Sequence, residues 1–242
     1  MAPKSSPPRE NLTSRAYDTL EEMIVTCALK PGRFISIPEI QEQTGLGRTP
    51  IHLAINRLAG DTLLRIRPRH GLQIAPVDLA RDLTLLQLRR EMERFVVRLA
   101  IERGTAASRA RMRQIAARLR ADQERMDLDA FNRLDRKIDT LFVATAGEAF
   151  LEHTLRPLHT TFRRTGWLYH SHLRPTEGFD RTIESHIAQL EAAAAGKTDA
   201  ALDATNALMD FVAATLDDLS HNADPALFDC NLEPDVADGQ GK

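Results

Sequence analysis

Cysteine is scarce in this 242-residue chain: Cys27 and Cys230 stand far apart, with no second thiol near either. A disulfide framework and a four-cysteine zinc site are both excluded. Lysine is also scarce, five residues against twenty-seven arginines, a bias from which no function is read. No run approaches the ~20 apolar residues that span a bilayer, because Arg or Glu interrupts each promising stretch. Met1 to Glu10 is polar and rich in Pro and Ser, without the apolar centre of a signal segment. Aromatic residues make up only 5%, yet 43% of the chain is hydrophobic, which is ample for a packed core and excludes wholesale disorder. The expectation is a soluble, reduced, cytoplasmic protein with no membrane partner. The Asn11-Leu12-Thr13 sequon is then chance.

What is present is unevenly charged. The net charge of −2 conceals +3 over residues 1–77, from ten Lys/Arg and seven Asp/Glu, and −5 over 78–242, from twenty-two and twenty-seven. Residues 48–70 hold five arginines, two histidines and one acid, Asp61. Such a cluster suits phosphate contact even in a mildly acidic chain, although a solvated face is the commoner outcome for charge alone.

Periodicity sets out the elements. Ala16, Leu20, Met23, Ile24 and Cys27 recur at helical steps over 12–28, and Lys30-Pro31-Gly32 ends that helix in a turn. Ser36-Ile37-Pro38-Glu39 is a capping box with Pro in the first turn, opening a short helix that stops at Gly45 as a left-handed C′ residue. A third helix follows from Arg48 to Ala59 with an inward stripe of Ile51, Ile55 and Leu58. Leu63–Arg67 and Leu72–Ala75 read as two strands around the turn Pro68-Arg69-His70-Gly71. Three helices and a basic hairpin make a winged helix-turn-helix over 10–77. Beyond Pro76 the strand signal vanishes. Ala/Leu/Arg-rich segments at 78–103, 106–126, 128–146, 148–171, 178–195 and 198–221 predict an antiparallel all-helical bundle over 78–222, with a flexible tail over 223–242. The fold class is therefore mainly α.

A helix-turn-helix lays the opening residues of its second helix against base edges. Here that opening is Arg48-Thr49-Pro50-Ile51-His52. Arg48 can fork onto guanine O6 and N7, Thr49 can reach a phosphate or a thymine methyl, and His52 lies on the same face. Arg57 is expected to project toward the backbone. The wing brings Arg67, Arg69 and His70 to a neighbouring groove, and Gly71 allows close backbone approach.

Leu29-Lys30-Pro31-Gly32, Ile40 to Gly45, Arg48-Thr49-Pro50-Ile51 and Asn56-Arg57-Leu58 occur in order ahead of the wing. On these stretches residues 15–77 resemble the N-terminal domain of the GntR family of bacterial transcription regulators. Gly47 stands where that family usually has Ser or Thr, and His52-Leu53 where it usually has Arg-Glu. The remainder resembles the ligand-binding FCD-like domain of the FadR-type branch, in its six-helix VanR-like subset. The carriers are Leu88-Arg89 with Glu93, Asp135 to Gly147, Glu184-Ser185-His186, and Gly196 with Ala201.

The resemblance implies a homodimer on a pseudo-palindromic, double-stranded operator, with a small effector in the bundle. It further implies repression of a catabolic or transport operon as the commoner mode. Many members of that branch hold a divalent metal with one Asp and three His. The corresponding positions here are Asp135, Asp139, His186 and Leu208, so two of the four ligands are changed. Asp135, Asp139 and His186 remain a hard, weak set for a divalent ion, and no cofactor is required. The alternative is direct binding of an organic acid, with Arg89 supplying a bidentate fork. Asp135, Asp139, His186, His159 and Asn206 are then further pocket candidates, and Trp167 and Tyr169 lesser ones.

Two other classes stay open: a constitutive DNA-binding protein whose bundle only dimerises, and a metal-dependent hydrolase built on Asp135, Asp139 and His186. The chain shows no nucleophile elbow, no phosphate-cradling glycine loop and no His-Glu-x-x-His helix, so no enzyme is expected.

Overall fold

The computed structural model describes residues 12–69, 71–174 and 179–232. His70, one of the expected DNA contacts, lies outside them. The chain divides into two compact units: residues 1–77 together with 225–242, and residues 78–224.

In the first unit, α1 (Leu12–Val25) packs with α2 (Ile37–Thr44) and α3 (Arg48–Gly60) over a small sheet. The stripe expected on α3 is the one that is buried: Ile51, Ile55 and Leu58 meet Tyr17, Leu20 and Ile24 of α1 and Ile40 of α2. Each such side chain contributes roughly 1.5–3 kcal/mol by leaving water. Ser36 caps α2 by accepting from the Glu39 amide at 3.3 Å, while the Glu39 carboxylate pairs with Arg33 rather than returning to the cap. Gly45 ends α2 in the left-handed conformation, φ 67°. Gly47 precedes α3 without a side-chain cap.

The sheet has three strands, not two. The hairpin β2 (Leu64–Arg67) and β3 (Gly71–Ile74) is joined by β1 (Phe34–Ile35), which pairs antiparallel with β3 in the order β1-β3-β2. Gly71 sits at φ +87°, and a Cβ there would approach the Ile35 carbonyl to 3.2 Å, so the close approach it permits lies within the sheet. Residues 225–232, expected in a tail, carry a 3-10 turn at Pro225–Leu227 and belong by contact to this unit.

The second unit comprises α4 (Leu79–Arg103), α5 (Ala106–Asp122), α6 (Leu128–Ala146), α7 (Ala149–Leu168), α8 (Asp180–Ala194) and α9 (Thr198–Asn222). Asp78, Thr105 and Asp127 accept amide bonds as the N-caps of α4, α5 and α6. Gly147 closes α6 at φ 65°. One apolar core gathers Val96, Val97, Leu119, Ile138, Leu155 and Leu190, and a smaller one Leu86, Phe162, Met209 and Leu216. Helix α7 runs on into a π-helical turn at Tyr169–Leu173. Among the described residues no helix is long and apolar enough to cross a membrane.

Candidate functional site

Two places carry unusual chemistry, one in each unit. On the first, Arg48, Thr49 and His52 are exposed at the start of α3. An exposed arginine fork at a helix opening is free to meet an external acceptor. The wing adds exposed Arg67, whose Nε donates to Gln73 Oε1 at 3.1 Å, and exposed Arg69 at φ 68°. Arg65, not singled out by the sequence reading, stands two residues before Arg67 on β2 and shares its face. Arg57 is also exposed, farther along α3. Its guanidinium lies 4.2 Å from the Tyr17 ring centre, and Tyr17 Oη in turn donates to Asp61 at 2.7 Å. The ring steadies the exposed cation by cation–π attraction.

In the second unit a cavity of about 80 Å³ is lined by α4, α6, α7, its π-helical turn, α8 and α9. Arg89, Asp135 and His186 line it. So does Leu208, the apolar residue at the fourth ligand position implied by the resemblance. Trp167 also reaches it. Tyr169 does not, and neither does Asn206, whose Oδ1 instead accepts from Arg94 Nη1 at 3.0 Å between α9 and α4.

Asp139 and His159 stand behind Arg89 rather than on the wall. Arg89 Nε donates to Glu93 at 3.2 Å, His159 Nε2 bonds the same Glu93 oxygen at 2.7 Å, and His159 Nδ1 faces Asp139 at 3.4 Å. This buried chain fixes the guanidinium. Both Nη atoms are left without a hydrogen-bond partner among the described residues, and the guanidinium carbon lies 5.1 Å from the Phe162 ring centre. Burial opposes the Arg89 charge, but Glu93, Asp139 and Asp135 outweigh it and raise its pKa. Burial also pushes the Glu93 and Asp135 carboxyls up, yet His159 with Arg89, and His186 with Arg163, bring them down to about 2. Asp139 goes the other way, to about 6, because burial dominates and Asp135 and Glu93 add to it.

Among the described residues, His170 Nδ1, Thr182 Oγ1, Thr215 Oγ1 and His186 Nδ1 are buried without hydrogen-bond partners, and all four residues line the cavity. His186 Nε2 is engaged with Asp135 at 3.1 Å. Burial lowers His170 to about 4, so its ring is neutral near pH 7 and offers a bare acceptor or a single donor. Unsatisfied buried groups each cost about 1–3 kcal/mol, and a ligand that bonds them recovers that cost. The sequence reading found Arg89, Asp135 and His186 but not His170, Thr182 or Thr215.

A divalent metal does not fit this arrangement. Asp135 and His186 bond each other, Asp139 turns to His159, and Leu208 offers no donor. The expectation that Asp135, Asp139 and His186 share one ion is thereby overturned. Among the described residues the convergent donor set is Glu93, Asp139 and His159. There the imidazole already fills the space between two carboxylates, and the Arg89 cation on Glu93 would repel an ion.

Comparison with known proteins bears on both places. Residues 12–74 match the family described as bacterial regulatory proteins, gntR family, and residues 84–211 match the FCD domain. The chain is 26% identical over 170 residues to the HTH-type transcriptional repressor RspR of Escherichia coli K12, covering 70% of this chain and 75% of that protein. It is 32% identical over 151 residues to an HTH-type transcriptional regulator from the ttuE-ttuC' intergenic region of Agrobacterium vitis, covering 56% and 81%. The solved structure of McbR/YncC from E. coli shares the fold with a TM-score of 0.76 at 22% identity, covering 88% of this chain and all of that one.

Proposed function

Because the chain belongs to the gntR family of bacterial regulatory proteins and joins an FCD domain to its DNA-binding unit, making it a DNA-binding transcription regulator, we propose that it is a ligand-responsive repressor whose cavity takes a small organic acid. The observation that carries this reading is Arg89. Its Nε is held by Glu93, while among the described residues both Nη donors and four polar atoms of the cavity lining have no hydrogen-bond partner. A planar fork of charged donors is the complement of a carboxylate. His170, Thr182 and Thr215 then bond the rest of the ligand, its hydroxyl or carbonyl groups.

On the DNA side, Arg48, Thr49 and His52 read a half-site in the major groove, with Arg65, Arg67 and Arg69 on flanking phosphates. Two copies read a pseudo-palindrome. Leu88 and Phe95, exposed seven residues apart on α4, are the apolar face offered to the second copy. The ligand releases the operator by favouring another arrangement of the heads. A coupling of about 1–3 kcal/mol changes affinity roughly 5–150-fold. The regulated genes are those of uptake or breakdown of the acid.

The test is a gel-shift titration on the chain's own promoter fragment, repeated with a panel of mono- and dicarboxylates at matched ionic strength. One acid should weaken binding, and the Arg89→Met variant should bind the fragment but ignore that acid. Promoter binding untouched by every acid would reduce the bundle to a dimerisation element.

A further inference from the structure

The segment Pro225–Leu232 is built into the DNA-binding unit. The Val77 amide donates to the Phe228 carbonyl at 2.8 Å, and the Cys230 amide to the Pro31 carbonyl at 3.0 Å. Asn231 Nδ2 donates to the Gly32 carbonyl at 2.9 Å, and Asp229 Oδ1 holds Asn231 in place through its amide at 2.9 Å and its Nδ2 at 2.7 Å. Gly32 is cut to receive it: it stands at φ +81°, and a Cβ there would lie 1.9 Å from Asp229 Oδ1. The turn so gripped also feeds the sheet, since the Gly32 amide donates to Ile74 at 3.1 Å and the Ile74 amide to Arg33 at 2.9 Å.

This placement has a topological consequence. The chain passes between its two units at 77–78 and again at 224–225, and the Val77–Phe228 bond ties the two crossings to each other. One crossing leads within two residues into α4, which carries Arg89. The other leaves α9, whose Leu208, Val212 and Thr215 line the cavity. A continuous helix moves as a stiff rod, so a shift at Thr215 appears at its end.

We propose that Pro225–Leu232 is a clasp, through which both cavity-bearing helices are anchored at one place to the turn and sheet of the reading head, so that cavity occupancy sets the order of that head. The second half of this inference rests on the effector reading above; the clasp itself does not.

Three proteins test it: the unaltered chain, the Asp229→Ala/Asn231→Ala double variant, and a chain ended at Asp224. Backbone amide exchange is followed by mass spectrometry, and affinity for the promoter duplex by anisotropy. In the unaltered chain residues 31–35 and 74–77 should be protected. In both altered proteins they should exchange roughly tenfold faster, with native helix content, because a local closing contact is lost. Promoter affinity should fall about fivefold or more, the lower end of ordinary coupling.

Sodium acetate, matched in ionic strength with sodium chloride, then serves as the probe for the Arg89 fork. It should alter exchange in the cavity helices of all three proteins, and at 31–35 in the unaltered chain alone. Equal exchange at 31–35 in all three proteins, or an acetate response there that survives the double variant, overturns the clasp. If the truncated chain fails to fold, the double variant alone decides. Acetate without effect on the cavity helices of the unaltered chain counts against the effector reading, and the exchange and affinity comparisons then decide the clasp unaided.

Discussion

Arg89→Met separates what the guanidinium does for the fold from what it does for a ligand. Methionine keeps the apolar stem and its packing near Phe162, but removes every donor. The stability cost is set by Glu93, which loses a bond of 3.2 Å while keeping His159 Nε2 at 2.7 Å. Loss of one bond to a charged group costs about 1.5–3 kcal/mol. That is less than the ~3–5 kcal/mol expected when a buried charge is stripped of its only partner. For a unit of this size the melting temperature should fall by roughly 3–12 °C. The ligand loses two charge-assisted bonds, about 3–6 kcal/mol together, which weakens binding roughly 10²–10⁴-fold.

In a thermal-shift screen of small carboxylates, the acid that suits the cavity, present at a hundred times its Kd, stabilises the unaltered chain by about 2.7 kcal/mol, or roughly 5–11 °C. At the same concentration the Met variant should move by less than about 2 °C. Arg89→Lys should recover part of the shift, since it keeps the charge but not the fork. An Arg89→Met protein that melts near its expected temperature and still responds fully to the same acid would refute the assignment of Arg89 as the anion anchor.

Two further outcomes follow from the same geometry. His170 is held at about 4 by burial, against an unfolded value of 6.5. Its contribution is therefore fully present above pH 6.5 and is lost as pH falls toward 4, about 3 kcal/mol in all; chemical denaturation of His170→Gln across that window should show a correspondingly flatter pH profile, and an unchanged slope would remove His170 from the account. Asn206→Ala, which breaks only the bond to Arg94 at 3.0 Å, should leave carboxylate-induced stabilisation intact and cost no more than about 1.5–3 kcal/mol of stability by denaturant titration.

Much of the architecture was legible because it rests on local chemistry. The inward stripe of α3, the Ser36 N-cap and the glycine stops at Gly45 and Gly147 are all written in neighbouring residues. β1 was not legible. It is two residues long and exists only through pairing with β3, which lies far along the chain. The clasp was hidden for the same reason: residues 223–232 read as a tail, and only bonds to the distant Pro31, Gly32 and Val77 make it a structure.

Within the bundle, the family resemblance singled out Asp135 and His186, which line one cavity and bond each other rather than converging on an ion with Asp139. Asn206 was misplaced by rotation. It precedes Leu208 by two residues, and two residues turn a helix by about 200°, so its side chain leaves on the far side from the cavity wall. Thr182 and Thr215 carry no signal of their own, since a helical threonine becomes a site residue only when another helix closes over it. The stacking of the exposed Arg57 on Tyr17, forty residues earlier, is a contact that no local pattern encodes.

The most direct measurement of the whole account is a competition experiment at fixed salt, with a labelled fragment of the chain's own promoter displaced by itself or by a scrambled duplex of equal length. The account predicts that the unaltered protein prefers its promoter by ~10³ or more. Arg48→Ala should melt at the same temperature, because Arg48 is exposed at the start of α3, yet lose about 1–3 kcal/mol of discrimination for each reading head. A protein that holds promoter and scrambled duplex with the same salt-sensitive affinity, or an Arg48→Ala variant that discriminates as well as its parent, would contradict it.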